Sequence, residues 1–192
     1  MNIEEHPEEG FAVWLSKQEL ETLVEQPDGR QRRIALKLGG YCGLRSAEVT
    51  DVCPKHVRDT QIGYVLEVPD GKDDKYREVP IKESLATQIA MYGDMIGSDD
   101  QPVIDVTTRT LRNWAKDTVD VLADDTDNHR WQYLSFHDLR RTWATHLSNA
   151  GVDSKIAMQW GGWSNLETFL DHYQGSFSPE AQREARAKID FL

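Results

Sequence analysis

The chain has 192 residues, with 33 acidic and 22 basic side chains, a formal charge of −11, and 39% apolar residues. That length suits one domain with appendages and allows a real core, and no window approaches 18 consecutive apolar residues, which excludes a transmembrane helix. Cys42 and Cys53 are too few for a disulfide scaffold, and no Cys/His cluster has zinc spacing, so neither metal nor cofactor is expected. The opening Met1-Asn2-Ile3-Glu4-Glu5 lacks the cationic and apolar parts of a secretory signal, so a cytoplasmic globular protein is expected.

Residues 1–13 read as a loose acidic lead-in. Ser16-Lys17-Gln18-Glu19 is a capping box, with Leu15 and Leu20 as its hydrophobic staple. Leu20, Leu23 and Val24 give that helix its apolar stripe, and Pro27-Asp28-Gly29 ends it. A second helical stretch from Arg30 to Tyr41 is broken by Gly39, Gly40 and Gly43, and a short helix follows from Ser46 to about Val52. Between Thr60 and Ile81 the period changes to two: Ile62, Tyr64, Leu66 and Val68 alternate, as do Arg77, Val79 and Ile81. Asp70-Gly71 and Asp73-Asp74 supply turn chemistry, so this is a β-hairpin.

The remainder reads as helical. Lys82 to Tyr92 and Thr108 to Ala123 are helices, and Ser135 caps another that runs through Ala150 and stops at Gly151. Asp153 starts a short helix ending near Gly161-Gly162, another spans Leu166 to Tyr173, and Ser178-Pro179 opens a last one. The expected architecture is mainly α with a small antiparallel β-hairpin or sheet, an α+β fold.

The charge is uneven. From Asn128 to His146, Arg130, Arg140 and Arg141 face only Asp138, with His129, His137 and His146 interleaved. Phosphate binding draws on Lys and Arg, and an acidic shell around such a basic site suits a protein working in concentrated salt. Arg45 sits at a helix entry after Gly43, where an anion is favoured; alone it is as readily a surface arginine paired with Glu48. Lys72 lies in the hairpin turn. His137 and Arg140, three apart, project from one face of their helix, with Arg141 beside them. Trp160 reads as core, whereas Trp163 follows a double glycine in a loop and can aim its indole N–H at a ligand. Tyr173 is the last tyrosine. One nucleophile among five donors, without paired carboxylates, suits an anionic, phosphate-like transition state.

In their order these residues resemble the catalytic domain of the tyrosine recombinase, or phage integrase, family. The likeness is carried by Gly43-Leu44-Arg45-Ser46-Ala47-Glu48, Gly71-Lys72 with Val79-Pro80, His137-Asp138-Leu139-Arg140-Arg141, Gly162-Trp163-Ser164-Asn165 and Tyr173. The resemblance implies double-stranded DNA as partner, a tetramer on that DNA, and strand cleavage and rejoining without metal or ATP. Tyr173 would be the nucleophile, Arg45 and Arg140 the phosphate clamp, and Lys72 the acid for the leaving 5′-oxygen, with Lys75 competing for that role. His137 would assist proton transfer, Trp163 would bind an oxygen where many relatives carry His, and Glu48 and Arg141 would support the site.

The resemblance divides the chain into the lead-in, a catalytic domain at 14–175 and a helical tail at 176–192, with no counterpart of the usual N-terminal DNA-clamping domain. The Trp163-to-Tyr173 separation is one residue longer than the family's usual spacing, about 100° of rotation on a helix. The competing function is a DNA-binding or regulatory module that keeps the clamp but does not cut. Salt adaptation has its own readout: helicity followed by circular dichroism should persist to higher temperature as KCl is raised into the molar range, and a chain most stable in dilute buffer contradicts it.

Overall fold

The computed structural model describes residues 1–6, 10–69, 76–173 and 177–189, with the side chains of His6, Gly10, Asp171, His172, Tyr173 and Glu180 left outside. In chain order the elements are β1 (Asn2–His6), β2 (Gly10–Trp14), α1 (Lys17–Glu25), α2 (Arg30–Cys42) and α3 (Ser46–Thr50). They continue with β3 (Val57–Thr60), β4 (Gly63–Val68), β5 (Arg77–Pro80), α4 (Glu83–Ile96) and α5 (Thr108–Thr126). The last are α6 (Phe136–Asn149), α7 (Ser154–Gly161), α8 (Leu166–Tyr173) and α9 (Pro179–Ala187). No described helix is long and apolar enough to cross a membrane.

The mainly α expectation stands, with two differences in the strands. In the described part of the lead-in, residues 2–6 and 10–13 are strand rather than loose chain: β1 pairs antiparallel with β2, Ile3 opposite Val13. Val13 and Trp14 are buried, so burial of the second strand against α6 organises this acidic segment. The hairpin also has a third member, because β3 pairs with β4, Val57 opposite Leu66, while β4 pairs with β5, Leu66 opposite Val79. The period-two reading holds for Leu66, Val68 and Val79, all buried, but Ile62 sits in the β3–β4 turn and is exposed.

At the centre lies α2, buried almost without a break from Ile34 to Cys42, with α1, α3, α4, α5 and α6 packed around it. Gly39 and Gly40 do not break it. A Cβ on Gly39 would stand 2.9 Å from a Leu139 methyl, and one on Gly40 2.5 Å from a Leu20 methyl. These glycines are therefore the points where α6 and α1 approach the helix backbone. The helix ends at Gly43, which is left-handed (φ 64°), a conformation glycine adopts without steric penalty. The capping box predicted at Ser16 is present, and Leu15 and Leu20 are both buried.

One side of α6 fastens the chain that leads from β2 into α1. Asp138, Thr142 and His146, spaced four apart and so aligned along the helix, bond the Val13 amide (3.2 Å), the Leu15 amide (3.1 Å) and the Leu15 carbonyl (2.8 Å). Burial pushes the His146 imidazole below its usual pKa, although the Leu15 carbonyl acts the other way.

Gly43→Ala should be far worse than Gly39→Ala. A Cβ at residue 43 meets the Trp143 ring at 2.2 Å on a positive-φ backbone, whereas at residue 39 it meets a Leu139 methyl at 2.9 Å and the tip of the Phe136 ring at 3.0 Å on an ordinary helical backbone. A loss of about 3 kcal/mol is expected for Gly43→Ala, lowering Tm by roughly 10 °C. Gly39→Ala should stay within about 1 kcal/mol, because helix propensity offsets the crowding. Thermal melts of the two variants compare these outcomes directly.

Candidate functional site

A cleft of about 460 Å³ opens between the α2–α3 junction, α5 and the start of α6. Its charged walls are Arg45, Arg112 and Lys116, joined by the polar His137, Ser46, Gln132 and Ser135, with no Asp or Glu among the lining residues. On a chain of net charge −11 this is a local region of opposite sign, and walls of low dielectric focus such a field. Arg112 donates to the Ser46 hydroxyl (3.3 Å), and Lys116 is paired with Asp120 (3.0 Å).

Arg45 lies just before α3, half-exposed, and Glu48 in the first turn of that helix holds it twice. Glu48 accepts from the Arg45 amide (2.7 Å) and from Nη1 of its guanidinium (2.8 Å). Beneath it Arg77, the first residue of β5, takes the same carboxylate in a two-pronged grip, Nη1 to Oε1 at 2.9 Å and Nη2 to Oε2 at 2.8 Å. The Arg77 Nε donates to the Trp160 carbonyl at 2.9 Å. Burial alone would raise the Glu48 pKa, but the Arg77 hydrogen bonds and charge, helped by Arg45, outweigh it and hold the carboxyl at about 2.

Arg140 occupies the interior. It is fully buried, donating from Nη1 to the Gly43 carbonyl and from Nη2 to the Gly161 carbonyl, both at 2.5 Å. Its guanidinium carbon stands 4.1 Å from the centroid of the Trp163 ring. Trp163 in turn stacks on Trp143 (5.9 Å, 27°) and meets Phe169 of α8 (4.8 Å).

The predicted residues therefore sort by depth. Arg45 and the exposed His137 face one cleft, and Glu48 lies directly under Arg45. Arg140 is one turn beyond His137, as the spacing required, but Trp163 covers it, so the two present different depths rather than one surface. Trp163 belongs to the core, and Trp160, expected in the core, is half-buried and packs against it. Trp163 packs onto Trp143 and Phe169 because the left-handed Gly162 (φ 69°) turns the chain sharply back after α7.

Arg141 does not approach the cleft. It is buried in an ion pair with Asp138 (2.7 Å), whose carboxylate also caps α6 through Ser135 and holds Val13. Lys72 and Lys75 lie outside the described residues. Tyr173 is the last residue of α8, one turn beyond the fully buried Phe169, and its side chain lies outside the described part. The loop before α8 is Ser164-Asn165, with the Asn165 side chain accepting from the Glu167 amide (2.8 Å). No group of three or more His, Cys, Asp or Glu is placed to hold a metal ion among the described residues.

Sequence reasoning missed Arg77, Arg112 and Lys116 as members of the site. For Arg77 a signal existed: it occupies the inward register of β5 with Val79, and a charge on an inward face needs a buried partner.

The sequence pattern of the phage integrase family matches residues 13–178. The chain is 30% identical to the tyrosine recombinase XerD of Pseudomonas aeruginosa, over 80% of this chain and 54% of that protein. It is 32% identical to the tyrosine recombinase XerA of Thermococcus kodakarensis, over 91% of this chain and 62% of the relative. It thus spans about half to three-fifths of the length of these relatives. Among solved structures, the XerA recombinase superposes with a TM-score of 0.69 at 22% identity, covering 92% of this chain and 64% of that one. The XerH recombinase bound to its difH substrate superposes with a TM-score of 0.67 at 19% identity, covering 91% and 53%.

The Glu48 carboxylate carries an acid-stability prediction. Because its folded pKa is depressed, the stability it contributes is complete above the unfolded value of 4.5 and is lost as pH falls through about 2. The contribution is on the order of 3 kcal/mol. Melting temperature against pH should therefore fall between pH 4.5 and 2 in the wild type and flatten in Glu48→Gln. An unchanged slope assigns the acid lability to other groups.

Proposed function

Because the chain belongs to the phage integrase family, we propose that it is the catalytic part of a site-specific tyrosine recombinase that acts on double-stranded DNA. The observation that carries this reading is the cleft walled by Arg45, Arg112, Lys116 and His137, without an acid, on an otherwise acidic chain. Such a surface attracts a polyanion. Arginine presents the fork that grips phosphate oxygens.

In this reading the Tyr173 hydroxyl attacks the scissile phosphodiester and gives up its proton to water. A bond forms between the tyrosine oxygen and phosphorus, the bond from phosphorus to the 5′-oxygen breaks, and that oxygen takes a proton from Lys72 or Lys75. The 3′-phosphotyrosyl link conserves the ester, so a second 5′-hydroxyl reverses the step on a new strand and expels the tyrosine. Arg45 and Arg140 offset charge on the non-bridging oxygens, and His137 at the cleft wall assists the proton transfer. Trp163 acts through Arg140, whose guanidinium it covers. The catalytic body corresponds to residues 14–175 with the β1–β2 hairpin added, and 176–192 is the tail. A tetramer on DNA, with the remaining grip supplied by another domain or chain, completes the assembly.

A second reading, a module that binds DNA without cutting it, is favoured by one observation: Arg140 is fully covered in this structure. A suicide duplex, nicked so that cleavage releases a short fragment irreversibly, separates the two. The wild type should give a DNA-shifted band on a denaturing gel and Tyr173→Phe none, with duplex binding unchanged within about twofold. Binding without a band in the wild type selects the second reading; where neither is seen, the same duplex is tested with a DNA-clamping domain supplied, and no binding and no band there removes both.

A further inference from the structure

We infer that Arg77 is a positioning residue for strand cleavage: it lets Glu48 orient Arg45 without cancelling the positive charge Arg45 brings to the phosphate. This inference rests on the recombinase reading. A carboxylate bonded to both the amide and the guanidinium of Arg45 fixes its aim, but a lone Arg–Glu pair carries no net charge. Such a pair would offer a phosphodiester little attraction. Arg77 supplies the missing charge from behind, so the Arg45, Glu48 and Arg77 set carries a net +1.

The geometry fits that task better than it fits a simple structural ion pair. Nε, Nη1 and Nη2 of Arg77 are all engaged, one on the Trp160 carbonyl and two on Glu48, so its plane is fixed at both ends. That plane sets the plane of the carboxylate, and the carboxylate holds Arg45. Arg77 and Glu48 are buried, with side chains 4% and 5% exposed, while the Arg45 side chain is 28% exposed at the cleft wall. The uncompensated charge of the three is therefore the one that faces outward. The same anchor ties the strand leaving the Lys72–Lys75 segment to the end of α7, next to the carbonyl that Arg140 uses.

Three measurements separate this role from a merely structural one. With the suicide duplex, Arg77→Gln should form the covalent adduct about 10²-fold more slowly, because Arg45, left cancelled by Glu48, then acts as if that one donor to the developing phosphate charge were lost. Adding Glu48→Gln removes the uncancelled carboxylate and should recover at least tenfold, although it deletes a second residue. On a duplex with a neutral methylphosphonate at the scissile position, Arg45 has little charge to offset, and the Arg77→Gln penalty should shrink to within about threefold.

Thermal melts establish that each variant is folded. If Arg77→Gln does not fold, Arg77→Lys, which keeps the charge but loses the fork, carries the test. It should lose about tenfold on the phosphodiester and much less on the methylphosphonate. A folded variant with wild-type rate, or one equally slow on both substrates, overturns the inference while leaving the recombinase reading intact. A wild-type chain that binds duplex but forms no adduct overturns that reading, and this inference falls with it.

Discussion

A helix leaves its last carbonyls without partners, and those orphan groups organise the site. The carbonyls of Trp160 and Gly161 end α7, and that of Gly43 ends α2. Two buried guanidiniums take all three: Arg140 spans Gly43 and Gly161, and Arg77 takes Trp160. Since Arg77 continues through Glu48 to Arg45, two residues after Gly43, the bonds close a ring through α2, α3, β5, α6 and α7. Positive groups are favoured at the negative end of a helix, so the ring rests on backbone charge as well as hydrogen bonding.

The packing beneath the ring supplies its rigidity. Gly39 and Gly40 let α6 and α1 sit hard against α2, and the left-handed Gly43 and Gly162 end their helices over aromatic neighbours and Arg77. Trp143 and Phe169 then pack against Trp163, which lies on Arg140. Close-packed interiors deform little, so the buried guanidinium has few alternative positions. Its stacking on Trp163 adds a cation–π contribution in a desolvated setting.

Much of this was legible locally and little of it at long range. The capping box at Ser16 and the helix stops at Gly43, Gly151 and Gly162 depend on a few adjacent residues, and sequence reasoning finds them. Gly39-Gly40 misleads because each glycine answers to a packed neighbour on another helix, Leu139 for Gly39 and Leu20 for Gly40, rather than to a local turn. The β1–β2 hairpin was hidden by its acidic residues, and β3 by having one apolar residue in four, since partner strands and α6 decide both. At the site, Arg45 and His137 were recognisable from short motifs. The Arg77–Glu48 pair joins residues 29 apart, and Arg140 to Gly43 spans 97; no local pattern encodes such contacts. The depth of Trp163 was not legible either, because it depends on Gly162 folding the loop inward onto Trp143 and Phe169.

The double duty of the buried arginines bears on how a site of this kind changes over generations. Arg140 bonds two helix ends, so its loss is felt as a failure to fold before any question of chemistry arises. Arg45 and His137 stand at the rim and can be exchanged with the scaffold intact. A lineage relieved of the need to cut DNA would therefore shed its rim first and carry the interior arginines long afterwards. Within one chain, the interior set answers to the fold as well as to the ligand, and the rim to the ligand alone.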